Sequence, residues 1–481
     1  MSAEQDPLLP QGHDSPGPEE ASESSRQDDQ SCIRRMPLVA FLATFGMNAA
    51  AASSVFVFAR ILCKDSSSCD GDEQNAFARS LAIATVIANV CAILVIQPLH
   101  AVSKKTPNTV LILWLVFRST SIALLWLAGM RYITPDSSLF PKLTCELASF
   151  KSMSIVLLSK VLEGTATDNI LQFALSTIYA RAKDQKQFST LMSESMAFSL
   201  LGSSLGPLTA GLGKDFSSRI LIAICALVLA ALYVGFLTIV GRSHAPNKNN
   251  SQSLRDQISV TTEGHAKEGA TLLGDLFQGT FSHFSIFYEK PRFLPPSLSL
   301  LLYTNGQAYV LPALMVYASG RYGFTDRQSS WLLSLVTAVS AASTFLVRLV
   351  QQRIKGDIAH LQLNMMVAVM QMSALAISLP LIMETNYSWQ LYLVTTAMSL
   401  GFSASGFIKT YALCQLQHPN DGTAALAIFE TVGSLLSPLT LGSAQSHWQG
   451  GSWTFLSTGM MIASIAALLV TMTRRVFIPA S

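Results

Sequence analysis

The stretch Leu201-Gly202-Ser203-Ser204-Leu205-Gly206-Pro207-Leu208-Thr209-Ala210-Gly211 lies inside an apolar run over about 190–212, yet it carries three glycines and a proline. In a soluble helix glycine costs about 1 kcal/mol and interior proline about 3 kcal/mol relative to alanine. In a bilayer, neighbouring helices re-satisfy the backbone groups that proline frees, and small residues let two helices approach closely. The pattern Gly-x-x-x-Gly-Pro-x-x-Ala-Gly therefore predicts a kinked, closely packed transmembrane helix.

The chain around this stretch has the composition of a membrane protein. Of its 481 residues 50% are hydrophobic and 13% charged, where a soluble protein carries about 25% charge. The apolar residues gather in runs of about 20, the length that crosses a hydrocarbon core. These runs fall near 37–59, 78–98, 109–129, 153–175, 190–212 and 219–240, and again near 297–317, 329–349, 363–383, 389–409, 424–444 and 452–473. The expected fold is an all-α polytopic membrane protein with twelve transmembrane helices in two six-helix bundles. Its parts are a tail over 1–35, a bundle over 36–240, a linker over 241–296, a bundle over 297–473 and a tail over 474–481.

The Ser-, Pro- and acid-rich N-terminal tail reads as disordered and cytoplasmic. Within it Glu4-Gln5-Asp6-Pro7-Leu8-Leu9 resembles an acidic dileucine sorting signal, or is a chance dipeptide. A cytoplasmic N-terminus places Arg34, Arg35, Lys104, Lys105, Arg181, Lys183, Arg353 and Lys355 inside, as the positive-inside bias requires. In the linker Leu273, Leu276, Phe277, Phe281, Phe284 and Phe287 recur at helical spacing, predicting an amphipathic helix on the inner membrane surface. Cys63 and Cys69 bracket a polar outer loop and could close a disulfide, with Cys145 a competing partner. Asn386-Tyr387-Ser388 is a glycosylation sequon in a short outer loop. A net charge of +3 gives no reason to expect nucleic acid.

Two six-helix halves with a long cytoplasmic linker resemble the major facilitator superfamily. The opening stretch resembles the fifth-helix signature of its drug–proton antiporters, matched at Gly202, Gly206, Pro207, Ala210 and Gly211, with Ala210 replacing a glycine and Ser193 standing where an upstream glycine is expected. Leu400 to Phe407, His418 to Gly422 and Ile428 to Leu439 look like the tenth and eleventh helices of a fungal branch whose members often sit beside natural-product biosynthesis genes. One departure is Pro98 to Lys105, where the superfamily's gating loop keeps only its basic pair. The resemblance implies alternating access, with the first, fourth, seventh and tenth helices lining the cavity.

Ionisable groups inside a membrane cost about 2.5–3.5 kcal/mol or more each and mark ion or substrate paths. The fourth span is densest, with Lys160, Glu163, Asp168 and Gln172. Lys160 and Glu163, three apart, share a helix face, and Asp168 falls near that face about two turns beyond Lys160. Either Glu163 or Asp168 exchanges a proton as access alternates, or Lys160 and Glu163 form a static pair. Arg118, central in the third span, needs an anion, with Glu163 or Asp168 in reach. Glu430 in the eleventh span matches a carboxylate typical of the fungal branch. For substrate, Tyr303, Asn305, Gln307 and Tyr309 cluster beside Gly306 and before Pro312, an interruption of the kind that exposes backbone at a midplane site. Asn48 and Ser403 could face the same cavity. The alternative for these residues is hydrogen bonding between helices.

Gly213-Lys214-Asp215 lacks the residues of a phosphate loop, so ATP coupling is not expected. No metalloprotease motif, paired Cys-x-x-Cys or nucleophile elbow is present. No enzyme activity, metal or cofactor is expected. The expected activity is proton-driven efflux of a small organic compound such as a fungal secondary metabolite, by a monomer in the lipid bilayer of the plasma or vacuolar membrane. A proton-coupled importer or vacuolar permease is the alternative. A sensor without transport would call for a long structured cytoplasmic domain, and the linker is short and polar.

Overall fold

A computed structural model of the chain describes residues 33–63, 72–131, 141–179, 185–213, 215–243, 290–353, 357–413, 419–447 and 451–477. Every secondary-structure element among them is helical. The amphipathic helix expected in the linker, and Cys69, lie outside these residues.

Twelve helical passes follow one another. The first is α1 (Met36–Ala49) and α2 (Ala51–Leu62), the second α3 (Asp72–Lys105), and the third α4 (Pro107–Arg131). The fourth is α5 (Pro141–Thr165) and α6 (Asp168–Tyr179), the fifth α7 (Gln185–Leu212), and the sixth α8 (Phe216–Ser243). The seventh is α9 (Leu294–Gln307) and α10 (Val310–Tyr322), the eighth α11 (Asp326–Arg353), and the ninth α12 (Asp357–Leu381). The tenth is α13 (Ser388–Ser399) and α14 (Ala404–Leu413). The eleventh is α15 (Pro419–Ser437), a π-helical turn over Pro438–Gly442 and α16 (Ser443–His447), and the twelfth is α17 (Trp453–Phe477). Among the described residues, nine of these are long and apolar enough to cross a membrane. The seventh pass starts at Leu294, three residues before the run expected from hydropathy, because Pro295 and Pro296 sit in its first turn, where a missing N–H costs nothing.

Among the described residues the first, fourth, seventh and tenth passes are interrupted by a turn or bend in the chain, and each is followed by two passes without such a break. Irregular backbone is tolerated at mid-depth only where it is buried in protein or lines a water-filled space.

The opening stretch holds the two halves together. A Cβ on Gly202 would come 2.4 Å from the Phe41 carbonyl, and one on Gly206 would come 2.4 Å from that of Phe45. The two glycines thus let α7 lie directly on α1. Thr44 Oγ1 donates to the Ser199 carbonyl at 2.9 Å across the same contact. Pro207 has no N–H for the carbonyl four residues back. That carbonyl, of Ser203, receives Thr337 Oγ1 from α11 at 3.0 Å, and the next, of Ser204, receives Ser334 Oγ at 2.9 Å.

The eleventh pass repeats this arrangement. Residues 198–211 and 429–442 are identical at eight of fourteen positions: Phe198/Phe429, Gly202/Gly433, Ser203/Ser434, Leu205/Leu436, Pro207/Pro438, Leu208/Leu439, Thr209/Thr440 and Gly211/Gly442. Gly433 packs its backbone on α9 as Gly202 does on α1, since a Cβ there would lie 2.7 Å from the Leu301 carbonyl. Pro438 frees the Ser434 carbonyl, which receives Asn89 Nδ2 from α3 at 2.7 Å. Two matching clasps therefore join opposite halves, each built on a carbonyl that proline has released.

Cys63, at the end of α2, is disulfide-bonded. Both Cys69 and the side chain of Cys145 lie outside the described residues. Cys91 and Cys225 are free thiols.

Candidate functional site: a charged cluster between the halves

Mid-depth in the fourth pass the backbone opens at Ala166 and Thr167, and the indole of Trp114 on α4 donates to the Thr167 carbonyl at 2.9 Å. Glu163 closes α5 and Asp168 opens α6, so the break sets the two carboxylates on either side of it. Asp168 stands in the first turn of a twelve-residue helix, where the N-terminal dipole favours a negative charge.

The two acids have different surroundings. Glu163 is held by two cations, Lys160 Nζ at 2.7 Å on Oε2 and Arg118 Nη1 at 3.2 Å on Oε1. Both expectations for this pair meet here: Lys160 does neutralise Glu163 along one helix face, and Arg118 joins them from α4. The side chains of Arg118 and Lys160 are 10% and 7% exposed, against 26% for Glu163, so the carboxylate alone of the three looks outward. Asp168 has no ion-pair partner among the described residues and is exposed. Its carboxyl is acted on by the charge of Arg118 and, from the other half, by those of Glu430 and Lys409. A residue exposed in mid-pass and facing charges of both halves looks into the space between them.

The opposite wall carries a pair that the sequence reading missed. Lys409 Nζ on α14 lies 2.5 Å from Glu430 Oε2 on α15, with the lysine side chain 32% exposed and the glutamate 11%. Glu430 is thus paired with an ion rather than packed against backbone. Lys409 stands at the last residue of the tenth apolar run and reads there as an interfacial charge. Its solitary place between Ile408 and Thr410 was the available signal.

The seventh pass breaks at Ala308 and Tyr309, where the expected interruption lies. Its polar side chains are committed to other helices. The Tyr303 hydroxyl donates to the Gly401 carbonyl at 2.7 Å, satisfying the break of the tenth pass. The Tyr309 hydroxyl donates to the Ala78 carbonyl at 3.3 Å, its N–H donates to Ser437 Oγ at 2.9 Å, and both tyrosines are buried. Asn305 Oδ1 accepts from Thr440 Oγ1 at 3.0 Å. Gln307 and Gln172 are half-buried, and Asn48 Nδ2 donates to the Thr44 carbonyl at 2.9 Å and to Ser203 Oγ at 3.2 Å. Ser403, in the break of the tenth pass, keeps a buried Oγ without a hydrogen-bond partner. Pro207, Ala210 and Gly211 are buried in the fifth pass, Gly211 against Trp331 of α11. Asn386 is exposed beside α13, its N–H donating to Gln390 Oε1 at 2.8 Å.

One end of the space is closed. Arg219 Nη1 on α8 pairs with Asp326 Oδ2 on α11 at 2.6 Å, and Ser53 Oγ on α2 donates to the same carboxylate at 3.2 Å. The hydrogen bonds from Ser53, Asn89, Tyr309, Ser334 and Thr337 to the opposite half, and the Arg219–Asp326 pair, lie between this end and mid-helix. The orientation expected from the positive-inside bias has this as the outer end.

A family model described as Major Facilitator Superfamily matches residues 143–441. No curated protein matches the chain. The fold is similar to that of a D-xylose–proton symporter at 11% identity and a TM-score of 0.55, covering 94% of this chain and 98% of that one. It is similar to that of a peptide transporter crystallised with sulfate at 13% and 0.57, covering 91% and 94%. It is likewise similar to that of the human organic anion transporter MFSD10 (TETRAN) at 14% and 0.54, covering 92% and 99%.

Proposed function

The chain belongs to the Major Facilitator Superfamily, and we propose from the geometry of its charged cluster that it moves a small organic compound by alternating access, coupled to a proton held on Asp168. The protein is an integral multi-pass membrane transporter rather than an enzyme. The observation that carries the proton reading is the contrast between the two acids: Glu163 is fixed by two cations, whereas Asp168 has no ion-pair partner among the described residues, is exposed and lies within reach of charges in both halves. A carboxyl that changes its charge there changes the attraction between the halves, and that is what coupling requires.

Export of a compound such as a secondary metabolite, in exchange for protons, rests on the resemblance of Gly202–Gly211 to an antiporter signature. The recurrence of the same stretch at Gly433–Gly442 supports another task for it, packing and clasping in both halves, and weakens its bearing on direction. A second reading, a proton-coupled importer or a permease of the vacuolar membrane, is favoured by the charge balance treated below and by the resemblance of Glu4–Leu9 to a sorting signal. In reconstituted vesicles with an imposed pH gradient, Asp168→Asn is expected to uncouple solute movement from the gradient. Unchanged rate and pH dependence in that variant would remove Asp168 from the mechanism.

A further inference from the structure

Three cations belong to the cluster around Asp168. Arg118 offers five N–H groups, and Lys160 and Lys409 three each. Glu163 accepts from Arg118 Nη1 and Lys160 Nζ, and Glu430 is paired with Lys409. Arg118 Nε is buried without a hydrogen-bond partner among the described residues. Buried polar atoms are nearly always paired, so an orphan donor at mid-depth marks a site that lacks its acceptor.

The charges give the same answer. The charges acting on Asp168 are those of Arg118 on α4, Lys409 on α14 and Glu430 on α15, and Arg118 is tied in turn to Glu163 and through it to Lys160 on the pass of Asp168. With Asp168 ionised, three cations meet three carboxylates and the cluster is neutral. With Asp168 protonated it carries one unit of positive charge, which a monovalent anion cancels. Uncompensated charge at that depth is costly, so proton and anion each favour the arrival of the other. An organic cation would sit against ionised Asp168, but it would face Arg118 and Lys409 and leave the orphan donor unpaired.

Resting on the transport reading above, we propose that the substrate is a small organic anion, of the carboxylate type, bound between Arg118 and Lys409 while Asp168 is protonated, so that proton and anion cross together. Lys409 is the anchor on the second half. Glu430 holds the lysine in place when the site is empty.

The test uses the purified full-length protein and three probes of one shape and different charge: benzoate, benzamide and benzylamine. Binding is read from thermal melting and from the fluorescence of Trp114, whose indole touches the break beside Asp168. Benzoate is expected to bind in preference to the other two, about tenfold tighter at mildly acidic than at mildly alkaline pH. Asp168→Asn is expected to bind it equally at both. Lys409→Arg should retain binding. The Lys409→Gln/Glu430→Gln double variant leaves no unpaired buried carboxylate and should weaken benzoate at least about tenfold, the loss of a charge-assisted hydrogen bond. Preference for benzylamine, no preference for benzoate over benzamide, binding indifferent to the double variant, or no binding by any of the three overturns the proposal. The pH-gradient assay on Asp168→Asn is independent of probe charge. If it is positive while benzylamine binds best, proton coupling stands and the anionic class falls.

Discussion

Replacing Asp326 by asparagine tests whether the buried pair with Arg219 is what keeps the outer end closed. Both side chains are under one-tenth exposed, and the contact is 2.6 Å. The charge of Arg60, whose guanidinium lies 4.4 Å from the Phe216 ring centroid, also acts on this carboxylate. Removing the carboxylate charge leaves two guanidiniums with no anion. Breaking one side of a buried ion pair costs about 3–5 kcal/mol. The lower figure applies here, because Arg219 Nε keeps the Gly213 carbonyl at 3.2 Å and Arg60 keeps its ring. Separation of the halves at this end returns both guanidiniums to water and removes the cost, so the substitution acts on the balance between closed and open forms. About 3 kcal/mol corresponds to a shift of about a hundredfold toward the open form. Hydrogen exchange in lipid nanodiscs reads it directly: amides over 203–212 and 326–337 should exchange faster in Asp326→Asn. Exchange at that end equal to the parent protein would refute the pair as a latch.

The clasps should act in parallel. Thr337→Val removes the donor to the Ser203 carbonyl and Asn89→Leu the donor to that of Ser434; each should cost about 1 kcal/mol in thermal melting, and the two costs should add, because the sites share no partner. Gly206→Leu should abolish transport, since its Cβ would lie 2.4 Å from the Phe45 carbonyl, whereas Gly235→Leu, with nothing within 4 Å of the added atom, should melt and transport as the parent does.

What the sequence determined by itself is what repeats locally. Runs of about 20 apolar residues fix the passes, and Gly202, Gly206 and Pro207 announce a close helix contact wherever their partner lies. The Lys160–Glu163 pair was legible for the same reason, as three residues along a helix share a face. The recurrence of Gly202–Gly211 at Gly433–Gly442 was also present in the sequence, and it alters the meaning of the stretch from a signature of one helix to an element of symmetry.

The tertiary structure alone decided which groups meet across the chain. Asn89 and Ser434 are 345 residues apart and hydrogen-bonded, and nothing in helical periodicity relates them. Tyr303, a substrate candidate for which bonding between helices was the alternative, donates to the Gly401 carbonyl, a backbone acceptor exposed by a break in another pass. Lys409, at the end of the tenth apolar run, brings its ammonium to Glu430. The electrostatics of Asp168 depend on charges brought to it by helices three, ten and eleven. A charge inside a membrane must be answered, but its position in the sequence does not name the residue that answers it. That pairing is fixed by how the helices pack.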